Sequence, residues 1–197
     1  IGLAATPTTG LLVRQLGARA VRLGCVRDSV AHLMTAIRRH LTADLLLISG
    51  GVSVGEKDFV RQALARCGVK PILWQVDIKP GMPLVVGHRR RTLVFGLPGN
   101  PVSAFVTVEE FVKPVIFRLM GRAWRDGYTT PATLATDLTV SQTRRTHFVR
   151  VRCLTNGGSL RVEPVNSLVE ADGWIRVDST QGPWRAGAPV LVKTSWG

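Results

Sequence analysis

Three turns rich in glycine or proline carry most of the polar side chains suited to anion chemistry. The first is segment 49–55, Ser-Gly-Gly-Val-Ser-Val-Gly, which separates an apolar run from a helical pattern. Glycines let the backbone turn with its N–H groups exposed, the following helix start adds partial positive charge, and Ser53 supplies a hydroxyl donor. The pattern predicts a phosphate or oxyanion cradle, with an ordinary strand-to-helix turn as the alternative. It fits neither the Walker nor the dinucleotide pattern.

Two carboxylates follow this turn directly, at Glu56 and Asp58. Mg²⁺ prefers one or two carboxylates together with substrate phosphates, so the pair is a candidate metal site beside the cradle. Asp58 is the preferred ligand. The alternative is that both side chains only complement the dipole of the first helical turn, worth roughly 0.3 to 1 kcal/mol.

The second and third turns are segments 79–83, Lys-Pro-Gly-Met-Pro, and 97–103, Leu-Pro-Gly-Asn-Pro-Val-Ser. Proline restricts φ and glycine permits unusual values, so each turn can hold a polar group ready for a ligand. Lys79 supplies a positive charge, and Asn100 and Ser103 supply hydrogen bonds. Two tight turns without function are the alternative for either segment alone, but three such turns at strand ends favour a ligand site.

The elements that position these turns alternate between strand and helix patterns through residues 1–122. The continuous apolar run Leu45–Ile48 is typical of a parallel strand buried on both faces, which requires helices on either side. Helical spacing over 102–120, with a kink expected at Pro114, adds a long helix. The prediction is a three-layer α/β domain with a mostly parallel sheet, whose carboxyl edge carries the turns.

Beyond a turn-rich stretch at 126–131 the periodicity changes to that of strands. Apolar and polar residues alternate in Phe148–Cys153 and Leu160–Val165, and Asn-Gly-Gly at 156–158 is a strong hairpin signal. Residues 128–197 are therefore predicted to form a small all-β domain, either a barrel or a sandwich.

Two local details of the first domain are also predicted. The strand pattern near residues 18–23 places Val21 inward, and Asp28 stands where the N-cap of the next helix is expected.

The net charge of +13 favours anionic partners. Nucleic acid is one candidate, but the basic residues are spread along the chain and no basic repeat interleaved with aromatic residues occurs. The basic triplet at 89–91 is interpreted as a solvated hairpin tip. Phosphorylated small molecules and oxyanions fit the three turns better.

Other sequence features narrow the class of protein. No apolar run approaches the roughly 20 residues of a membrane span. The three cysteines and four histidines show neither disulfide-framework nor metal-ligand spacing, which favours a cytoplasmic protein. The chain opens at Ile1 and is expected to be a fragment.

Taken together, these turns resemble the molybdopterin molybdenumtransferase family, which includes bacterial MoeA and the E domains of plant Cnx and animal gephyrin. Segments 49–56, 79–81 and 96–104 stand in the family's order and at its approximate spacing, and segment 24–28 resembles a further family turn. The likeness covers residues 11–121 well and the β-rich remainder more loosely.

The resemblance implies an enzyme that inserts molybdate into adenylated molybdopterin and releases AMP, assisted by Mg²⁺ bound at Glu56 and Asp58. Asp58, serving the metal or an activated water, and Lys79 would be the catalytic residues. The family forms dimers, so a homodimer is expected. The substrate-binding residues implied are Gly50, Gly51, Val52, Ser53, Gly81, Pro98, Gly99, Asn100, Pro101 and Ser103.

Three departures from the family pattern reduce the expected activity of this chain. The family's two N-terminal domains are absent, together with the first strand of the molybdopterin-binding domain. Leu3-Ala4-Ala5 stands where the family has an acidic turn, and Met82 replaces a common basic residue. Two alternatives to the enzyme therefore stay open: a non-catalytic anion-binding or assembly module, and an enzyme like molybdopterin adenylyltransferase.

Overall fold

The computed structural model describes residues 2–4, 7–52, 59–141, 144–156, 158–178 and 180–194. The chain divides into two compact units. The first contains Ile1–Val76 and Gly81–Trp124, and the second contains Asp77–Pro80 and Arg125–Gly197. The main division, after Trp124, lies between residue 122, where the first predicted domain ends, and residue 128, where the second begins. The sequence did not predict that Asp77–Pro80 belongs to the second unit.

The first unit alternates strands with helices. Its strands are β1 (Gly2–Ala4), β2 (Val21–Arg22), β3 (Leu45–Ser49), β4 (Lys70–Trp74), β6 (Val85–Arg89) and β7 (Thr92–Leu97). Its helices are α1 (Pro7–Gln15), α2 (Val30–His40), α3 (Phe59–Arg66), α4 (Pro101–Thr107) and α5 (Lys113–Leu119). The six strands form one sheet in the order β2-β1-β3-β7-β6-β4.

Side chains of β3 alternate between two apolar cores, which makes the unit three-layered. Leu45 and Leu47 pack with residues of α1 and α5 on one face, while Leu46 and Ile48 pack with α2 and α3 on the other. All four are buried. β3 is parallel to both of its neighbours, β1 and β7, as expected for a strand covered on both faces.

Strand β1 corrects the expectation that the first strand of the sheet is missing. Gly2–Ala4 lies between β2 and β3 and is parallel to both. Leu3 and Ala4, which the family resemblance assigned to a turn before the first helix, belong to this strand instead. The reason is that an extended apolar tripeptide here pairs with both β2 and β3, whose facing backbone groups would otherwise be unpaired.

The two local details near α2 are wrong. Val21 is 43 % exposed rather than inward, because β2 is a two-residue strand at the edge of the sheet. The N-cap position of α2 is Ser29, one residue later than Asp28, and its side chain makes no capping hydrogen bond.

The predicted long helix at 102–120 contains a π-helical turn at Val108–Val112 between α4 and α5. The turn ends where the Lys113 N–H bonds the Val108 carbonyl, immediately before Pro114. Proline has no N–H to donate within the helix, and a helix is expected to be irregular near it. The irregularity expected at Pro114 takes the form of this wider π-helical turn.

The second unit is a closed β structure. Its strands are β5 (Ile78–Lys79), β8 (Thr130–Leu134), β9 (Thr146–Asn156), β10 (Ser159–Pro164), β11 (Gly173–Asp178) and β12 (Pro189–Thr194). The order β10-β8-β12-β11-β9-β5, with an additional pairing of β10 to β9, closes the sheet into a barrel. Asn156 pairs with Ser159 across the predicted hairpin. The all-β prediction is confirmed.

Candidate ligand-binding site

The first and third turns meet at the carboxyl ends of two adjacent strands. β3 and β7 are parallel and end together, with Ser49 opposite Leu97. The Gly50 N–H donates to the Leu97 carbonyl over 3.0 Å. A methyl group on Gly99 would lie 3.5 Å from the Gly50 Cα atom, so the turns are in close proximity. The structure therefore brings together the two turns that begin at Ser49 and at Leu97.

Two consecutive glycines allow the first turn to form. Gly50 has φ of 83° and Gly51 has φ of 70°, in the left-handed region where a Cβ atom is unfavourable. A Cβ on Gly51 would also lie 3.0 Å from the Val60 Cγ2 atom of α3. Both the backbone conformation and the nearby helix thus restrict this position to glycine.

Backbone N–H groups at the site are only partly available to a ligand. Gly50 donates to Leu97, and the Asn100 Oδ1 atom accepts from the N–H groups of Val102 at 3.0 Å and Ser103 at 3.2 Å. Within the described part of the chain, Gly51, Val52 and Gly99 form no such backbone bond. These three amides are the remaining candidates for binding an anion.

Several predicted substrate-binding residues have structural roles as well. Asn100 is the N-cap of α4, and Pro101 is the first residue of that helix. The Val52 side chain is 7 % exposed and packs in the core against Gly96, so only its backbone is available to a ligand. Pro98 is buried, and Ser103 is half-buried. Their contribution to binding stays a prediction.

The second turn crosses the division between the units. Lys79 belongs to the second unit, where it is exposed on β5. Gly81 belongs to the first unit, where it is buried with φ of 120°. Ser53, Glu56 and Asp58 lie outside the described residues. The roles predicted for these side chains therefore stay predictions.

A cavity of about 390 Å³ adjoins the first turn. It is lined by Ser49–Gly51, by the segment that follows β2, and by α2 residues including Leu33 and Ile37. The chain runs from β1 through α1 to β2 at the edge of the sheet, and then through α2 past β1 to β3. The strand order therefore reverses beside β1, and the cavity lies next to this topological switch point. Open α/β sheets bind ligands at such points.

Sequence reasoning gave no role to two polar side chains of this cavity: Ser49, which it placed in the first turn without a function, and Arg22. The Ser49 Oγ atom is buried and has no hydrogen-bond partner among the described residues. Arg22 adds a positive charge to the lining. Both stand at the carboxyl end of a strand, and this position is the signal that identifies them once the strands are ordered in the sheet.

Across the described residues, no group of three or more histidine, cysteine, aspartate or glutamate side chains is arranged to hold a metal ion. Likewise, no helix in the described segments is both long and apolar enough to cross a bilayer.

The fold and this site define a protein with two domains, a molybdopterin-binding domain and, after it along the chain, a β domain. A family model described as "Probable molybdopterin binding domain" matches residues 7–118, and a second, "MoeA C-terminal region (domain IV)", matches residues 131–194. The two matched segments correspond to the larger parts of the two units.

Similar proteins carry a consistent name. Molybdopterin molybdenumtransferase of Haemophilus influenzae is 41 % identical over 120 residues, covering 60 % of this chain and 30 % of the relative. Molybdopterin molybdenumtransferase of Synechococcus elongatus is 35 % identical over 191 residues, covering 88 % of this chain and 46 % of the relative. The chain belongs to the MoeA family of molybdopterin molybdenumtransferases. It spans less than half the length of these two relatives.

Solved structures support the fold. A molybdopterin biosynthesis MoeA protein from Pyrococcus horikosii superposes with a TM-score of 0.77 at 24 % identity, covering 96 % of this chain and 47 % of that one. A molybdenum cofactor biosynthesis protein from Pyrococcus furiosus gives a TM-score of 0.73 at 24 % identity, covering 98 % and 65 %.

Proposed function

We propose that this chain acts in molybdenum cofactor biosynthesis, inserting molybdate into adenylated molybdopterin with release of AMP. The observation that carries the proposal is the meeting of the turns at Gly50 and Gly99 at the carboxyl edge of a parallel sheet. The names of the relatives indicate the transfer of molybdenum to molybdopterin, and the adenylated substrate and the release of AMP come from the family resemblance. Both proposed substrates are anions, which agrees with the net charge of +13.

In the proposed reaction the chain's main task is to bind and stabilise negative charge. The N–H groups of Gly51, Val52 and Gly99 bind phosphate or molybdate oxygens, and the Ser49 hydroxyl is a further donor. Lys79 is proposed to supply a positive charge for an anionic substrate. Fixed donors of this kind stabilise charge that develops as the pyrophosphate link breaks, which is commonly the largest catalytic contribution.

Magnesium is part of the proposal through Glu56 and Asp58. Carboxylate oxygens are the protein ligands that Mg²⁺ prefers, so the donor type fits the ion. When bound, Mg²⁺ would neutralise phosphate charge. Asp58 is also the proposed group that orients the attacking water.

The remaining features of the proposal concern assembly and location. We infer a homodimer, as the family resemblance implies. The cysteines at 25, 67 and 153 are unpaired in the structure, which agrees with a reducing cytoplasm. The proposed partners are adenylated molybdopterin and molybdate, and neither a membrane nor a nucleic acid is proposed as a partner.

The direct test is to incubate the purified chain with adenylated molybdopterin, molybdate and Mg²⁺ and to measure AMP by chromatography. AMP release above the rate without protein is expected. Tight binding of the substrate without AMP release would contradict the enzymatic proposal and favour the binding-module alternative.

A pair of variants at Gly99 tests the site itself. Gly99 is exposed, its φ is not in the left-handed region, and the nearest atom to an added Cβ is at ordinary contact distance. Gly99→Asp places a negative charge between the two turns and should weaken molybdate and AMP binding by roughly 10-fold or more. Gly99→Asn has nearly the same shape without the charge and serves as the control. Equal dissociation constants for the two variants, measured by calorimetry, would show that no anion binds here.

A further inference from the structure

The backbone of Lys79 pairs with a strand of the second unit, whereas the other two turns follow strands of the first unit. Segment Asp77–Pro80 leaves the first unit, and β5 pairs in parallel with β9, Lys79 opposite His147. The Thr146 N–H donates to the Asp77 carbonyl over 2.9 Å, and Ile78 is buried. On either side of this segment, the first unit is held together by a hydrogen bond from the Val76 N–H to the Met82 carbonyl over 3.1 Å. The four residues are therefore an insertion into the β barrel.

The Lys79 side chain is also held within the second unit. Its Nζ atom donates to the Ser141 Oγ atom over 3.1 Å. His147, which is 5 % exposed, bonds the Ser141 backbone. Ser141 thus connects His147, a buried residue of β9, with the ammonium group of Lys79 on β5.

Charges around His147 are consistent with this arrangement. Burial lowers the pKa of His147 below its usual value, and the positive charges of Lys79 and Arg145 lower it further, while the bond to the Ser141 backbone opposes the shift. On β11, Val177 lies opposite His147, and Asp178 lies opposite the neighbouring Thr146. Burial and the Lys79 charge therefore both disfavour a second positive charge on His147 and lower its pKa.

We propose that Ser141 and His147, both in the second unit with Lys79, are positioning residues for the Lys79 ammonium group. Ser141 fixes the ammonium group, and His147 fixes Ser141. The inference rests on the proposed function, because it gives Lys79 its role toward an anion.

The test compares Ser141→Ala, Ser141→Thr and Lys79→Ala in the full chain. Two quantities are measured: the dissociation constant for molybdate by calorimetry, and the rate at which an amine-reactive reagent modifies Lys79, by mass spectrometry. Ser141→Ala should raise the dissociation constant by roughly 3- to 10-fold and speed modification, because the ammonium loses its fixed partner. Ser141→Thr keeps the hydroxyl and should restore both values.

Three further variants separate positioning from a general disturbance of the second unit. Ser167 lies in the same unit, and its Oγ atom accepts a hydrogen bond from the Val169 N–H. Ser167→Ala removes this local bond and should change neither the dissociation constant nor the modification rate. His147→Phe should reproduce the effect of Ser141→Ala, while His147→Gln, which keeps an N–H donor, should largely retain the parent values.

The outcomes distinguish this inference from the proposed function. If Lys79→Ala weakens molybdate binding but Ser141→Ala changes neither binding nor modification rate, the positioning inference is overturned and the role of Lys79 stands. If Lys79→Ala leaves molybdate binding unchanged, the role of Lys79 in the proposed function fails, and with it the inference.

Discussion

At the scale of single residues, Asn100 shows how a side chain chosen for chemistry also serves the fold. Its Oδ1 atom accepts two backbone N–H groups at the start of α4. Capping and ligand binding are compatible, because the Nδ2 group of the same side chain keeps its donors. The two roles nevertheless require separate tests, since a loss of binding in an alanine variant can arise from a frayed helix.

Replacing Asn100 with alanine is expected to lower the free energy of unfolding by about 1 kcal/mol, since both capping bonds are lost. Asn100→Asp keeps an accepting oxygen and should retain the parent stability, while its charge weakens anion binding. Chemical denaturation and molybdate calorimetry on the two variants give the comparison. Equal stability of the alanine variant and the parent would contradict the capping role.

His147 gives a second prediction at this scale, concerning pH. Its pKa is lower in the folded protein than its ordinary value of 6.5. Well above pH 6.5 the ring takes up no proton in the folded or the unfolded protein, so His147 does not lower the free energy of unfolding. As the pH falls below 6.5, the unfolded chain takes up the proton first, so the free energy of unfolding decreases. Denaturation at several pH values should show this decrease, and His147→Gln should remove the part that begins near pH 6.5.

At the scale of elements, one contact couples the glycine turn to the sheet beneath it. Val52 lies within the turn, directly after its two glycines, and packs its side chain against Gly96 of β7. A Cβ atom at Gly96 would lie 2.7 Å from the Val52 Cγ1 atom and 3.2 Å from the Val85 Cβ atom. The absence of a side chain at Gly96 therefore creates the space in which the end of the turn is anchored.

Gly96→Ala should therefore destabilise the protein by roughly 1 to 3 kcal/mol, since the core has no room for the methyl group. Adding Val52→Ala should offset part of that loss, which a double-mutant cycle measures. The matched control is Gly10→Ala in α1, where nothing lies within 4 Å of the new Cβ. There the helix preference of alanine should raise stability by up to about 1 kcal/mol. Strict additivity of the Gly96 and Val52 changes would refute the contact.

At the scale of the whole molecule, the described residues form separate apolar cores in the two units. Two clusters cover the faces of the α/β sheet, and a third fills the barrel around Val151 and Ile175. Both Ile116 of the first unit and Ile175 of the second are fully buried. Each unit therefore has the apolar interior that independent local stability requires.

Truncating each core in turn tests this independence. Ile175→Ala and Ile116→Ala should each cost roughly 2 to 5 kcal/mol. Hydrogen exchange followed by mass spectrometry should show faster exchange mainly in residues 130–194 for the first variant and mainly in residues 7–119 for the second. Equal acceleration throughout the chain in both variants would indicate a single cooperative unit instead.

Much of the fold could be predicted because its signals are local in sequence. The run Leu45–Ile48 and the hairpin signal at 156–158 depend on periodicity and turn chemistry, and the structure confirms both. Predictions that depend on neighbours fared less well. Val21 carries an apolar side chain but lies on an edge strand, and Asp28 is a good capping residue one position before the cap.

Residue types and spacing were enough to predict the family, the alternation of strands and helices, and the glycine and proline turns. Which turns meet depends on the fold, since Gly50 and Gly99 approach only when β3 and β7 are adjacent. It also placed Lys79 in the β barrel and filled the place between β2 and β3 with β1. Strand order brings together residues that are distant in sequence, and no local pattern encodes it.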